Sequence, residues 1–175
     1  MRDEEIAGLD FANWPLPDAY LGELGRLSAL WCSLEGQLDI CLGKVVGFAD
    51  LSDPRPFIML KHSSVPQKLD ALAALCEQFS SQVPTLAEYA STVSRLRTAQ
   101  RLRNRFAHNG MAVNPATGRV EMAIGSARGK LKTSVEPVSL ADIRRASMEV
   151  HTAMLDLHAL ATGKRYKRKW ERGDS

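Results

Sequence analysis

The sequence lacks the glycine-rich loops and metal-binding patterns that mark the common cofactor-dependent enzymes. It contains no G-x-x-x-x-G-K-S/T loop and no G-x-G-x-x-G turn, so no segment offers the phosphate cradle of nucleotide-dependent enzymes. None of its four histidines has a second histidine four residues away, the spacing by which one helical face binds a metal ion. We therefore expect no cofactor and no metal site.

Cysteines and long apolar runs are also scarce. Cys32, Cys41 and Cys76 are odd in number and have no paired spacing, which argues against a disulfide framework. All three lie in apolar helical runs, so we expect small core thiols. No run approaches the roughly 20 apolar residues that span a bilayer, and the acidic residues 1–5 are not followed by an apolar signal region. We expect no membrane partner and a reducing, cytoplasmic location.

Strong net charge is absent as well. The formal charge is only +3, so affinity for nucleic acid has to come from local clusters of basic residues. One cluster follows the helical segment that ends near residue 108, and the other is the tail 164–175. The residues expected to contact RNA are Arg97, Arg101, Arg105, Lys164, Arg165, Lys167 and Arg168. The tail has two interpretations: a solvated end that aids solubility, or an arm whose Tyr166 and Trp170 stack on bases.

Apolar spacing of helical period predicts a mainly α-helical fold, an up-and-down bundle of four main helices. The first runs from an Asp18 N-cap to about Gly47. Capping patterns that begin at Ser64, Thr85 and Ser139 open the other three. Residues 50–63 contain two prolines and are expected to form a turn or irregular link. We expect one domain over 1–163, with an extended lead-in over 1–17, followed by the tail 164–175.

A period of two replaces the helical period after residue 110. Residues 120–124 and 131–135 alternate apolar and polar side chains, and residues 111–113 are a possible third strand. This predicts a small antiparallel hairpin or meander between the third and fourth main helices. Two roles remain open for it: a flap or dimer contact beside the segment before it, or a surface insertion that caps the bundle.

Arg103 lies where the helical pattern calls for a core residue. The apolar arc around it consists of Tyr89, Val93, Leu96, Ala99, Phe106 and Ala107. Because a guanidinium does not lose its charge, a carboxylate, a phosphate or a polar cleft has to receive it. Glu35 on the first helix, or Asp39 one turn later, is the natural partner. The alternative is that Glu35 is a solvated acid at the edge of the packing.

Asn104 and His108 are four residues apart and share a helical face, which Arg101 and Arg97 continue. Gly110 is expected to end the helix with a positive φ. His108 then lies in the last turn. An ideal helix would hold its imidazole well away from Arg103, so the two side chains meet only if the end of the helix frays or turns tightly.

The stretch Arg103-Asn104-Arg105-Phe106-Ala107-His108 resembles the R-x4-6-H motif of the HEPN superfamily, in the form with Asn after the Arg. The helical frame is similar as well. The resemblance implies a metal-independent endoribonuclease that works as a homodimer with the two motifs facing each other. It also implies a setting in defence, stress or toxin–antitoxin systems, with an antitoxin or regulatory protein as a possible partner. Other members keep the fold as non-catalytic RNA-binding or protein-interaction modules.

Cleavage of a phosphodiester without metal suits these side chains. An imidazole, with an ordinary pKa near 6.5, can take the proton of a ribose 2′-OH or protonate the leaving oxygen, while a guanidinium stabilises the charge on phosphorus. His108 is thus the expected acid/base, Arg103 the phosphate clamp, Asn104 an orienting group and Glu35 a supporting residue. In the alternative, non-catalytic reading, Arg103 forms a buried ion pair and His108 caps the helix.

Overall fold

Four long helices, one short helix and three strands make up the regular structure of the part of the chain that the computed structural model describes, residues 14–48, 53–126, 129–168 and 171. The chain is mainly helical with a small antiparallel sheet, as predicted. The elements are α1 Asp18–Val45, α2 Arg55–Leu60, α3 Val65–Phe79, α4 Tyr89–Ala107, β1 Gly110–Val113, β2 Val120–Ser126, β3 Lys132–Pro137 and α5 Leu140–Thr162.

The core lies where α1, α4 and α5 pack together, with α3 against α1 and α4. Leu34 and Leu38 of α1, Leu96 of α4 and Ile143 of α5 are almost completely buried, and the predicted apolar stripes of these helices supply most of the core. The first turn of α1 contacts the short link between β3 and α5, where the Tyr20 hydroxyl donates to the carbonyl of Val138 at 3.0 Å. None of the described helices combines the length and the apolarity needed to cross a membrane.

Two of the three predicted capping boxes are present. Ser64 and Gln67 form one at the start of α3, and Ser139 and Asp142 form the other at the start of α5. The third prediction, that Thr85 opens the helix before His108, is wrong. A 3₁₀ turn occupies Pro84–Leu86, and its Leu86 is buried. Because that side chain anchors the turn on the core, α4 begins only at Tyr89, without a side-chain cap.

Asp18 and the link after α1 also differ from expectation. Asp18 is the first residue of α1 rather than its N-cap, which is Pro17. Within the link, Arg55–Leu60 forms the short helix α2 instead of an irregular turn. Its two prolines occupy starting positions, where a missing N–H breaks no helical hydrogen bond. Pro56 packs so closely on α1 that a Cβ at Gly43 would lie 2.8 Å from the Pro56 Cγ.

The three strands form an antiparallel sheet in the order β1-β2-β3. Met111 pairs with Met122 and Ala123 pairs with Val135, which fixes the register of the whole sheet. Val120 and Met122 are buried in the core, whereas on the opposite face Glu121 is half-buried and Ala123 is exposed. The alternation predicted for β2 is therefore confirmed. In the predicted lead-in, residues 1–13 lie outside the described residues, while Leu16 packs into the core.

All three cysteines are free thiols. Burial raises the pKa of Cys41 to about 12 and that of Cys76 to about 11, so both are inert core residues as expected. The prediction for Cys32 is wrong, since this residue is exposed. Together with the exposed Ser33, it lies on the side of α1 that faces solvent.

Replacing Ser139 with alanine is expected to destabilise the fold by about 1 kcal/mol, because the capping hydrogen bond to the Asp142 N–H is lost. Hydrogen bonds from the Ser139 hydroxyl and backbone lower the pKa of Asp142 in the folded chain. This contribution is therefore fully present above the unfolded pKa of about 4 and is lost as the pH falls from there through the lower pKa of the folded chain. Urea denaturation at pH 7 and at a series of pH values below about 4 measures both effects. Ser33→Ala is the control, because the Ser33 hydroxyl donates to the Ala29 carbonyl within its own helix and caps no helix end. Equal losses in the two variants would contradict the capping role.

Candidate active site

The end of α4 places the residues of the motif. The helix ends at Ala107, and His108 follows as its C-cap with φ −116° and ψ 2°, its N–H donating to the Asn104 carbonyl at 3.1 Å. The predicted stop at Gly110 is wrong: Gly110 begins β1, has no positive φ and pairs with Ala123. The helix thus ends one residue earlier than a glycine stop at residue 110 would place it, and the chain continues directly into the paired strand.

This early end brings Arg103 and His108 together. Arg103 Nη1 lies 3.4 Å from His108 Nε2, and it donates to Asn104 Oδ1 at 3.2 Å. A guanidinium has only donors, so the first contact is a hydrogen bond when Nε2 is the unprotonated nitrogen of a neutral ring. The three side chains therefore form one cluster that an undistorted helix would not allow.

The cluster lies at the protein surface. His108 is exposed, whereas Arg103 and Asn104 are half-buried. The Arg103 guanidinium lies over the ring of Trp31, 5.6 Å from its centroid, and Trp31 itself is only 2% exposed. A cation over an indole face is stabilised by the ring quadrupole, which lets the charge sit against the core without a carboxylate.

Neither of the two acids on α1 that were expected to pair with Arg103 does so among the described residues. Among the described residues, Arg103 forms no ion pair, and Glu35 is half-buried one turn beyond Trp31. Asp39 instead pairs with Lys68 of α3 at 2.6 Å. Sequence reasoning missed Trp31 as a site residue. The signal was present, because Trp31 lies one turn before Glu35 on the same apolar stripe.

Several of the basic residues on α4 are engaged with acids of the same chain. Arg97 contacts Asp70 at 2.7 Å, and Arg105 contacts Glu136 of β3 at 2.7 Å. Arg101 donates to the hydroxyl of Thr98 at 2.9 Å. Among the described residues Arg101, like Arg103, contacts no carboxylate. Because Arg101 is exposed and Arg103 is half-buried, the charge of Arg101 is the more accessible of the two to an anion.

The described part of the tail lies against the helices. Arg165 contacts Glu88 at 2.5 Å, and the Tyr166 ring lies 5.2 Å from that of His158. Arg168 contacts Glu171 at 3.4 Å. Lys164 and Lys167 are exposed. Trp170, the second aromatic residue of the proposed RNA-contacting arm, lies outside the described residues.

A polar cavity of about 450 Å³ opens between the start of α4, the end of α5 and the tail. Arg95, Arg165 and Arg168 line it together with Glu88 and Asp156. Arg95 is bound to Asp156 at 2.7 Å, so the opposite charges largely cancel within the cavity. This ion-paired junction joins α4, α5 and the tail.

Within the described ranges, no group of three or more His, Cys, Asp or Glu side chains is placed to hold a metal ion. The cluster of Arg103, Asn104 and His108 combines an imidazole, a guanidinium and an amide within hydrogen-bond distance. Comparison of the chain with protein-family models, with curated proteins and with solved structures found no match.

Proposed function

We propose that this chain is a metal-independent endoribonuclease of the HEPN type. The observation that carries the proposal is the 3.4 Å approach of Arg103 Nη1 to His108 Nε2 on an exposed surface. A base and a fixed positive charge within one hydrogen-bond length are what cleavage by the neighbouring 2′-hydroxyl requires.

The unprotonated Nε2 of His108 accepts the proton of the ribose 2′-OH. The resulting oxygen nucleophile attacks the adjacent phosphorus, and the bond from phosphorus to the 5′-oxygen breaks. That oxygen takes up a proton, so the products are a 2′,3′-cyclic phosphate and a 5′-hydroxyl. Arg103, turned from His108 toward the phosphate, stabilises the charge that accumulates on the non-bridging oxygens.

Asn104 and Trp31 position the guanidinium. Asn104 Oδ1 accepts a hydrogen bond from Arg103 Nη1 at 3.2 Å, and the Trp31 ring supports the guanidinium from the side of the core. The amide nitrogen of Asn104 remains able to donate to a phosphate oxygen. Because these contacts keep the guanidinium at the site before substrate binds, only its contact with His108 has to be exchanged for one with the phosphate.

One imidazole cannot remove the proton from the nucleophile and protonate the leaving oxygen in the same step. A second copy of the chain, with its own His108, supplies the missing acid, so the proposal includes a homodimer. RNA as substrate, a cytoplasmic location, a setting in defence, stress or toxin–antitoxin systems, and an antitoxin or regulatory protein as partner rest on the resemblance to the HEPN superfamily.

The second proposal is a non-catalytic HEPN-like module that binds RNA or protein. The observation that favours it is the pairing of Arg97, Arg105 and Arg165 with carboxylates of the same chain. Arginines already neutralised in this way add little to the attraction of a polyanion. The same surface, with its alternating charges, suits a protein partner.

Incubation of end-labelled single-stranded RNA with the purified protein in EDTA separates the two proposals. Cleavage supports the endoribonuclease. RNA that is bound but not cut supports the binding module, and RNA that is neither bound nor cut leaves protein interaction as the function of the fold.

Replacing Arg101 with glutamine is expected to weaken RNA binding and to reduce the salt dependence of the binding constant by about 0.7 in log–log slope, the value for one phosphate contact on a single strand. Fluorescence anisotropy at 50 to 200 mM salt measures the slope. Lys61→Gln is a matched control. Lys61 is exposed and follows α2, which packs on the C-terminal end of α1 near Gly43 rather than on the part of α1 around Trp31. Equal slopes in the two variants would remove Arg101 from the RNA interface.

A further inference from the structure

Strand β3 is an edge strand of the sheet. It pairs with β2 on one side, and no described strand pairs with the other. The opposite edge is different, because the Val113 N–H of β1 donates to the Pro15 carbonyl at 3.2 Å. In β3 all residues but the half-buried Glu136 are exposed. An uncovered edge of this length is a ready template for another strand.

The hydrogen-bond pattern shows which groups of β3 face outward. The Val138 N–H donates to the Val120 carbonyl at 2.9 Å, which marks that pair as hydrogen-bonded. In an antiparallel ladder, hydrogen-bonded and non-hydrogen-bonded pairs alternate. Glu136, Ser134 and Lys132 therefore direct their backbone groups to β2, while the N–H and C=O groups of Thr133 and Val135 point away from the sheet.

We propose that two copies of the chain pair through β3 across a two-fold axis at Ser134, forming a continuous six-stranded sheet. In this register Thr133 of each copy lies opposite Val135 of the other, which makes four backbone hydrogen bonds. Lys132 of each copy lies opposite Glu136 of the other, so the edge is complementary in charge to itself. Pro137, which has no N–H to donate, falls beyond the ladder.

Two further features of the edge fit a second copy of this chain. Leu131 and Val135 are 76% and 64% exposed, and the paired strands would cover part of this apolar surface. Glu136 also contacts Arg105 at 2.7 Å, which links the edge to the helix that carries Arg103 and His108. The inference does not rest on the proposed function. The order β1-β2-β3 puts β1, which His108 precedes by two residues, at the two outer edges of the six-stranded sheet, so this pairing is not the contact that would supply a second His108. A six-residue edge is a small interface, so the dimer is expected to depend on protein concentration.

Charge reversal tests the register. Lys132→Glu and Glu136→Lys each place like charges opposite one another twice, so each variant alone is expected to raise the dimer dissociation constant about tenfold. Mixing the two variants places opposite charges together again and should restore a heterodimer close to wild-type affinity. Sedimentation velocity over a range of concentrations measures this. Lys130→Glu makes the same charge change as Lys132→Glu, but outside β3, and serves as the matched control.

A backbone variant tests the same edge independently. Val135→Pro removes an N–H that points away from the sheet, so the monomer keeps its own ladder while the dimer loses two of four bonds; circular dichroism checks the fold. A wild-type monomer at high concentration, or variants that all dimerise like Lys130→Glu, would overturn the inference. Variants that all dimerise like Lys130→Glu leave RNA cleavage by His108 untouched, because the homodimer of the proposed nuclease then pairs through another surface. A dimer that pairs through β3 but never cuts RNA would leave the inference standing and refute the nuclease.

Discussion

Replacing His108 with alanine is expected to lower the rate of RNA cleavage by about 10²- to 10⁴-fold, the usual contribution of a general acid/base group. The variant removes the Nε2 that lies 3.4 Å from Arg103. Because His108 is exposed and its backbone N–H still bonds to Asn104, the fold should be unchanged. The measurement is the initial rate of cleavage of end-labelled RNA in EDTA, with equal concentrations of folded protein.

His62→Ala is the matched control for this experiment. His62 is also exposed and follows α2, away from the end of α4. It should cut RNA at the wild-type rate. Equal rates for His108→Ala and the wild type would give the motif a structural role only. A loss of activity in both His108→Ala and His62→Ala would show that the effect is not specific to the site.

Replacing Arg103 with lysine is expected to lower kcat by about 10²- to 10³-fold, similar to the loss of one strong donor to a transition-state oxyanion. Lysine keeps the charge, but an ammonium has neither the flat face that covers Trp31 nor the forked donors that reach Asn104 and a phosphate together. Since this role concerns the transition state, KM should change much less than kcat.

Arg101→Lys is the control for Arg103→Lys. Arg101 is exposed two residues earlier and donates to Thr98 rather than to the cluster. Because lysine keeps the charge, this substitution should leave kcat within about twofold and the salt dependence of RNA binding unchanged. If Arg103→Lys instead raised KM with kcat unchanged, the guanidinium would be a substrate-binding group and not a stabiliser of the transition state.

The helical frame was accessible from sequence because its signals are local. The capping boxes at Ser64 and Ser139 need only residues three positions apart, and both are present. The apolar stripe of α1 around Leu34 and Leu38 is equally local, since its period alone indicates the buried face. The prolines around α2 led to the wrong prediction of an irregular link, because a proline breaks a helix only beyond the first turn of that helix.

The site could be predicted in residue type but not in geometry. Where α4 ends depends on Gly110 pairing with Ala123, a contact between strands that no helix pattern contains. Likewise, charge alone made Glu35 the natural partner of Arg103, whereas the guanidinium rests on the Trp31 ring. The pairing of Arg97 with Asp70, 27 residues away, also depends on tertiary packing. Such contacts decide which basic residues remain free for a ligand.

The most direct test of the proposed chemistry compares an RNA with a DNA of the same sequence in EDTA and identifies the ends of the products. Attack by the 2′-hydroxyl predicts that the RNA is cut to a 2′,3′-cyclic phosphate and a 5′-hydroxyl while the DNA stays intact. Cleavage of the DNA, products with 5′-phosphates, or an intact RNA would contradict the assignment of Arg103 and His108 to this reaction.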